Sequence, residues 1–148
     1  MPHIDVSQSA ADPASGWPEG RVNLNVPKDP TFIAAARLTA AGVGLRAGLS
    51  FEVIEDLKII VAEACTFCIA DGGTAGRLRI AFEARPDCFV VTVTDPHFRM
   101  ARLGDGGVSL SEDRIVDELA IIRGLAEEFE CHAALGGGLL LRMTKRTR

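Results

Sequence analysis

Ile54-Glu55-Asp56-Leu57-Lys58-Ile59-Ile60-Val61-Ala62-Glu63-Ala64-Cys65-Thr66 is the stretch on which the reading of this chain turns. Its apolar residues belong to a stripe, Val53, Leu57, Ile60, Ala64 and Cys68, that returns every three or four positions, the period of one buried helix face. Ser50 supplies the N-cap, and Gly72-Gly73 ends the helix. Glu63 is the exception inside this pattern, a carboxylate between Val61-Ala62 and Ala64-Cys65 where desolvation is costly without a partner. On pattern alone it either sits at the edge of the stripe with its carboxylate in water or belongs to a site at a helix–sheet boundary. Phe67 follows one turn later on the same face.

Upstream, Asp29-Pro30 places a cap and a proline at a helix start, and Ile33, Ala36, Ala40, Val43 and Ala47 form its inner stripe. Gly42, Gly44 and Gly48 weaken the second half of that helix. Arg21 to Val26 alternates polar and apolar residues as a half-buried strand does, and Pro27 ends it. Residues 1–20, rich in Ala, Ser, Pro, Gly and Asp and carrying the single Trp17, show no period and read as a mobile leader.

Downstream, Leu78, Ile80 and Phe82 alternate with polar neighbours, Arg85-Pro86-Asp87 turns the chain, and Cys88 to Thr94 is a β-branched run. Asp95 to Leu110, with Gly104-Asp105-Gly106-Gly107, reads as a loop. Ser109 and Glu112 form a capping box for a third helix that buries Ile115, Leu119, Ile122 and Ala126. Phe129 to Leu135 and Leu139 to Met143 make a second hairpin around Gly136-Gly137-Gly138. The order βααββαββ predicts an α+β class domain over residues 21–148. It is a two-layer α/β sandwich in which a mostly antiparallel five-stranded sheet carries three helices on one face.

Composition narrows the function classes. At 148 residues, 47% hydrophobic and 24% charged, the chain has the size and content of one folded domain, and no apolar run reaches the roughly 20 residues of a membrane span. The start carries no secretory signal, so a cytoplasmic location is expected. A net charge of −4 has the wrong sign for direct nucleic-acid binding. Removing Arg142, Lys145, Arg146 and Arg148 leaves 12 cationic against 20 acidic side chains, or −8, on residues 1–141. That describes an acidic body with a basic tail, the body suiting capture of a basic, DNA-binding protein. Cys65 and Cys68, inside a helix pattern, and the single Cys88 and Cys131 read as buried thiols with no metal-ligand spacing. None of the glycine clusters has a P-loop or dinucleotide spacing, and His3, His97 and His132 have no nucleophile beside them.

Arg37-Leu38-Thr39 together with Ile54 to Thr66 closely resembles the bacterial anti-sigma factor and serine kinase family of the RsbW type, within the GHKL (histidine-kinase-like) ATPase superfamily, over roughly residues 21–146. The resemblance implies the Bergerat-like sandwich of that superfamily. It also implies a helix motif Glu-x-x-x-Asn, in which Glu is the general base and Asn gives an oxygen to a nucleotide-bound Mg²⁺. Glu63 matches the Glu, and Phe67 stands at the Asn position, where a benzyl ring offers a hard cation nothing. Asp95 matches the residue that binds the adenine amino group, while His97 and Arg99 replace the two glycines of Asp-x-Gly-x-Gly. Glu118-Leu119-Ala120-Ile121-Ile122 replaces the Gly-x-Gly stretch over the phosphates.

What the resemblance implies for function is therefore a transcription regulator of the stress-response type with a degenerate ATP site. Such a pseudokinase sequesters a sigma factor and is released by an anti-anti-sigma factor with a STAS domain. No ATP or Mg²⁺ is expected unless the changed site is compensated. The alternative is an active ATP-dependent serine kinase phosphorylating that anti-anti-sigma factor. Arg37 matches an arginine that the family uses to contact both competing partners, and a homodimer is implied as well.

Overall fold

Period-two sequences pair here across a single antiparallel sheet, which a computed structural model describes for residues 21–98, 119–134 and 136–147. Among those residues the chain runs β1 (Val22–Pro27), α1 (Ile33–Arg46), α2 (Phe51–Gly72), β2 (Arg77–Ala84), β3 (Cys88–Asp95), α3 (Ala120–Leu125), β4 (Glu128–Ala133) and β5 (Leu139–Arg146). The strands lie in the order β1-β2-β3-β5-β4. This is the expected α+β sandwich. The expected leader, the Gly104–Gly107 loop, the Ser109–Glu112 capping box and Ile115 lie outside the described residues.

Register explains why one sheet face is apolar. Val22 pairs with Phe82, Phe82 with Val91, Val91 with Met143 and Met143 with Phe129; Leu24, Ile80, Val93, Leu141 and Cys131 form the next row. These rows meet the helices, whereas the intervening row, Asn23, Ala81, Thr92, Arg142 and Glu130, faces the other way. Helix α2 supplies most of the cover, burying Ile54, Leu57, Ile60, Val61, Ala64, Cys65, Phe67 and Cys68. Its Ser50 side chain accepts from the Val53 N–H, as expected of the cap. Asp29 likewise accepts from the Thr31 N–H and opens a short 3-10 turn, Pro30–Phe32, that leads into α1.

Of the three glycines expected to weaken the first helix, Gly44 is buried where an added Cβ would press on the Ile54 side chain and so serves close packing on α2, and Gly48 lies beyond the helix end with a positive φ of 74°. One expectation needs correction. Three of the basic residues near the C-terminus, Arg142, Lys145 and Arg146, do not form a separate tail, and Arg148 lies outside the described residues. The three belong to β5, where Lys145 contacts Asp56 at 3.1 Å and Glu127 at 3.6 Å, and Arg142 approaches Glu130 at 3.9 Å. Acidic and basic side chains are laced together across the sheet edge.

Candidate functional site

One end of the sandwich collects the last turn of α2, the last residues of β1 and β3, and the first residues of β2 and β5. Strand alternation decides what points inward there. Phe89, Val91 and Val93 of β3 face the helices, and Asp95 keeps their parity, so its carboxylate enters the interior; its register partner is Leu139 at the start of β5. Val22, Leu24 and Val26 set the same parity in β1, and Lys28 continues it one residue beyond Pro27. Both side chains are completely buried, and Lys28 Nζ lies 2.5 Å from Asp95 Oδ2. Among the described residues these two atoms have no other polar partner. The second oxygen, Oδ1, accepts from the His97 N–H at 3.0 Å.

Unpaired, either charge would be prohibitive at this depth; paired, each makes the other tolerable, and removing one partner from such a pair typically costs about 3–5 kcal/mol. The neighbouring thiols feel the same surroundings. Burial raises Cys68 well above its ordinary value, with the Asp95 charge adding to the effect, and burial alone pushes Cys65 up to about 12. Both stay protonated and inert, in keeping with their place in the sequence, whereas Cys88 and Cys131, expected to be buried too, are only half-buried on their strands.

The wall of the site is aromatic. Phe67 is 4% exposed and Phe98 5%, and their rings stack with centroids 5.7 Å apart and planes 18° from parallel. The segment Asp95 to Phe98 is held on three sides by glycines. A Cβ at Gly72 would overlap Phe98, one at Gly76 would overlap His97, and one at Gly138 would overlap the Asp95 carbonyl and Pro96. Gly138 also needs its positive φ of 87°. The Gly136–Gly138 stretch is thus both the turn expected of it and, through Gly138, part of the packing around Asp95.

A magnesium nucleotide, which the resemblance implies, fits these residues poorly. Phe67 brings no oxygen, the Asp95 carboxylate is committed to an ammonium, and the Phe98 ring stands against the last turn of α2. Among the described residues no group of three or more His, Cys, Asp or Glu side chains is placed to hold a metal ion.

Of the residues picked out in the sequence, Asp95 and Phe67 are brought into one cluster through Phe98. Glu63 lies one turn before Phe67, half-buried at the margin of the α2 core face, in the edge position that the pattern allowed. Lys28 was not anticipated, although counting the strand period past Pro27 finds it.

Arg37 stands apart, exposed on α1. Its helix is apolar on both sides: Ala36, Ala40 and Val43 face the core, while Leu38 and Leu45, each 70% exposed, share the outer face. Arg37 and Arg46 are the only charged residues of α1. A helix apolar all round is ordinarily covered on both sides.

Residues 26–145 match the histidine kinase-like ATPase domain family. The chain is 37% identical over 78 residues to the serine-protein kinase RsbW of Halalkalibacterium halodurans, covering 50% of this chain and 46% of that protein. It is 35% identical over 78 residues to the RsbW of Listeria innocua, covering 51% and 50%. With the RsbW of Bacillus pumilus the identity is 29% over 138 residues, 84% of each chain. In the first two of these matches the chain spans about half the length of its relative. The crystal structure of the RsbU and RsbW domains of a Mycobacterium tuberculosis protein superposes with a TM-score of 0.65 at 14% identity, covering 87% of this chain and 32% of that one, a likeness of fold.

Proposed function

The chain belongs to the histidine kinase-like ATPase domain family, and from that membership we propose that it is a partner-switching regulator of the anti-sigma type that works without phosphoryl transfer. In this reading it captures a sigma factor through α1 and yields it when an anti-anti-sigma protein competes for the same surface. The relatives named above support the family role, since each is a serine-protein kinase RsbW.

The observation that carries the loss of kinase activity is the filled end of the sandwich. Phosphoryl transfer rests almost wholly on positioned metal and phosphate contacts. Here the matching positions hold a benzyl ring at Phe67 and a carboxylate already paired with Lys28. Glu63 then has no phosphate-bound reaction to serve and remains a surface-edge carboxylate. For partner capture, the support is the apolar outer face of α1 with Arg37 on its flank. Homodimerisation and a cytoplasmic location are part of the same proposal; none of the described helices is long and apolar enough to cross a membrane.

Calorimetric titration with Mg-ATP, beside a phosphate-transfer assay on a purified anti-anti-sigma protein, tests the reading. We expect no saturable heat and no labelled partner, while the same partner is retained on the immobilised protein. Micromolar Mg-ATP binding with transfer to a serine would establish the kinase reading instead, with Glu63 as its base.

A further inference from the structure

We propose that the Asp95 carboxylate is a buried receptor for one primary ammonium group, filled from within the chain by Lys28, and that Lys28 thereby keeps amine-bearing ligands out of this end of the fold. The proposal stands on the geometry of the pair and holds whether or not the chain captures a sigma factor.

Several features set this pair apart from an ordinary ion pair. Both side chains are fully buried, whereas the other lysines, Lys58 and Lys145, make their ion pairs with exposed surface remaining. The carboxylate is a prepared acceptor: its inward direction is fixed by the parity of β3, its Oδ1 is held by the His97 N–H, and the turn behind it is closed by the Phe98 N–H donating to the Asp95 carbonyl at 3.3 Å. Gly72, Gly76 and Gly138 leave the Asp95–Phe98 segment no room to swing away. Only Oδ2 is left to receive a donor, and the buried Lys28 side chain reaches it from the end of β1. The receptor is therefore rigid and the occupant is a flexible chain of four methylenes ending in a compact cation. If the occupant is shortened, the receptor should keep its shape and accept the same chemistry from outside.

The test is chemical rescue. Lys28→Ala removes three methylenes and the ammonium, a fragment equivalent to n-propylammonium. We expect the variant to melt well below the parent protein. Propylammonium chloride at about ten times its dissociation constant should then raise the variant's Tm by roughly 5 °C. Tetramethylammonium chloride at equal ionic strength, a cation without N–H donors, should not. The parent protein and Lys28→Ala/Asp95→Asn should show no difference between the two salts. Equal effects of the two salts on Lys28→Ala would overturn the proposal, as would a variant that refolds with neither.

Acetylation of the intact parent protein, read by mass spectrometry, gives an independent measure. The chain has three lysines, and Lys28 should react at least about tenfold more slowly than Lys58, with Asp95→Asn abolishing most of that protection. Lys28 reacting as fast as Lys58 in the folded parent would remove the internal occupant from the site.

Discussion

Cutting Phe67 back to alanine probes the filled site most directly. The ring is almost wholly buried, so its loss removes a full aromatic side chain from water-free packing and leaves a cavity, which typically costs about 3–5 kcal/mol. Part of that is the stack on Phe98, since aromatic pairs at such separations contribute about 0.5–1.5 kcal/mol beyond their buried area. A domain of this size has about 5–15 kcal/mol in total, so the variant should fold with a large part of its stability gone. Urea titrations followed by far-ultraviolet circular dichroism measure this, because the single tryptophan, Trp17, lies in the N-terminal stretch. Phe98→Ala and the double variant complete a cycle with an expected coupling of about 1 kcal/mol. Phe67→Asn should be at least as damaging as Phe67→Ala, because the amide must shed its water beside an aromatic face. It should still gain no affinity for Mg-ATP, since Lys28 and Phe98 remain. A loss below about 1 kcal/mol for Phe67→Ala, outside the range for a buried phenylalanine, would refute the packing account. Micromolar Mg-ATP binding by Phe67→Asn would refute the claim that several parts of the site are filled independently.

Three further outcomes follow from other parts of the molecule. Arg37→Glu should abolish co-purification with the cognate sigma factor while leaving the melting temperature unchanged, because the side chain is exposed; undiminished binding would take Arg37 out of the partner surface. Gly138→Ala should destabilise more than the roughly 1 kcal/mol expected at Gly137, since both have positive φ but only at Gly138 would the new methyl overlap backbone; comparing the two urea midpoints decides it. Stability should fall in alkali. A thiol that burial keeps protonated in the folded state stabilises the fold fully below its ordinary value of 9.0 and progressively less as pH climbs toward about 12. Each such thiol adds a slope of about 1.4 kcal/mol per pH unit, and Cys65→Ala should remove its share from urea midpoints measured between roughly pH 8 and pH 10.5.

The sheet and the two long helices were legible because each obeys one period without interruption. Ser50 and Gly73 bracket α2, Asp29 opens the approach to α1, and the two hairpins are marked by Arg85-Pro86-Asp87 and Gly136-Gly137-Gly138. The site was only half legible. Phe67 and Asp95 could be named from a motif, but what fills the space between them comes from Lys28 and Phe98, residues brought in by register and by a turn. Lysine is ordinarily a solvated residue, so composition argues against burying it, and only strand parity carried past Pro27 points inward. The close approaches at Gly72, Gly76 and Gly138 are long-range facts: each glycine meets a segment distant in sequence, which no local pattern encodes. The basic tail was misread for the same reason, because β5 lies beside β4 and two of its cations meet Glu127 and Glu130 across the strands.

That lacing also changes which surface can draw a partner. Glu127 and Glu130 near β4 already lie beside Lys145 and Arg142, so these two carboxylates are less available to a basic partner. The outer face of α1 has the opposite character, being apolar with arginine as its only charge, and so suits a partner segment with leucine-like side chains and a carboxylate. At 14 residues α1 is about 21 Å long, and a stable interface needs roughly 800 Å² from each side. One such helix face accommodates a single partner segment at a time. If both the sigma factor and its competitor use α1, their exclusion follows from the dimensions of the helix and requires no conformational relay from the filled end of the sandwich. Under the proposed function, release is then governed by the relative concentrations and affinities of the two partners, with no nucleotide required.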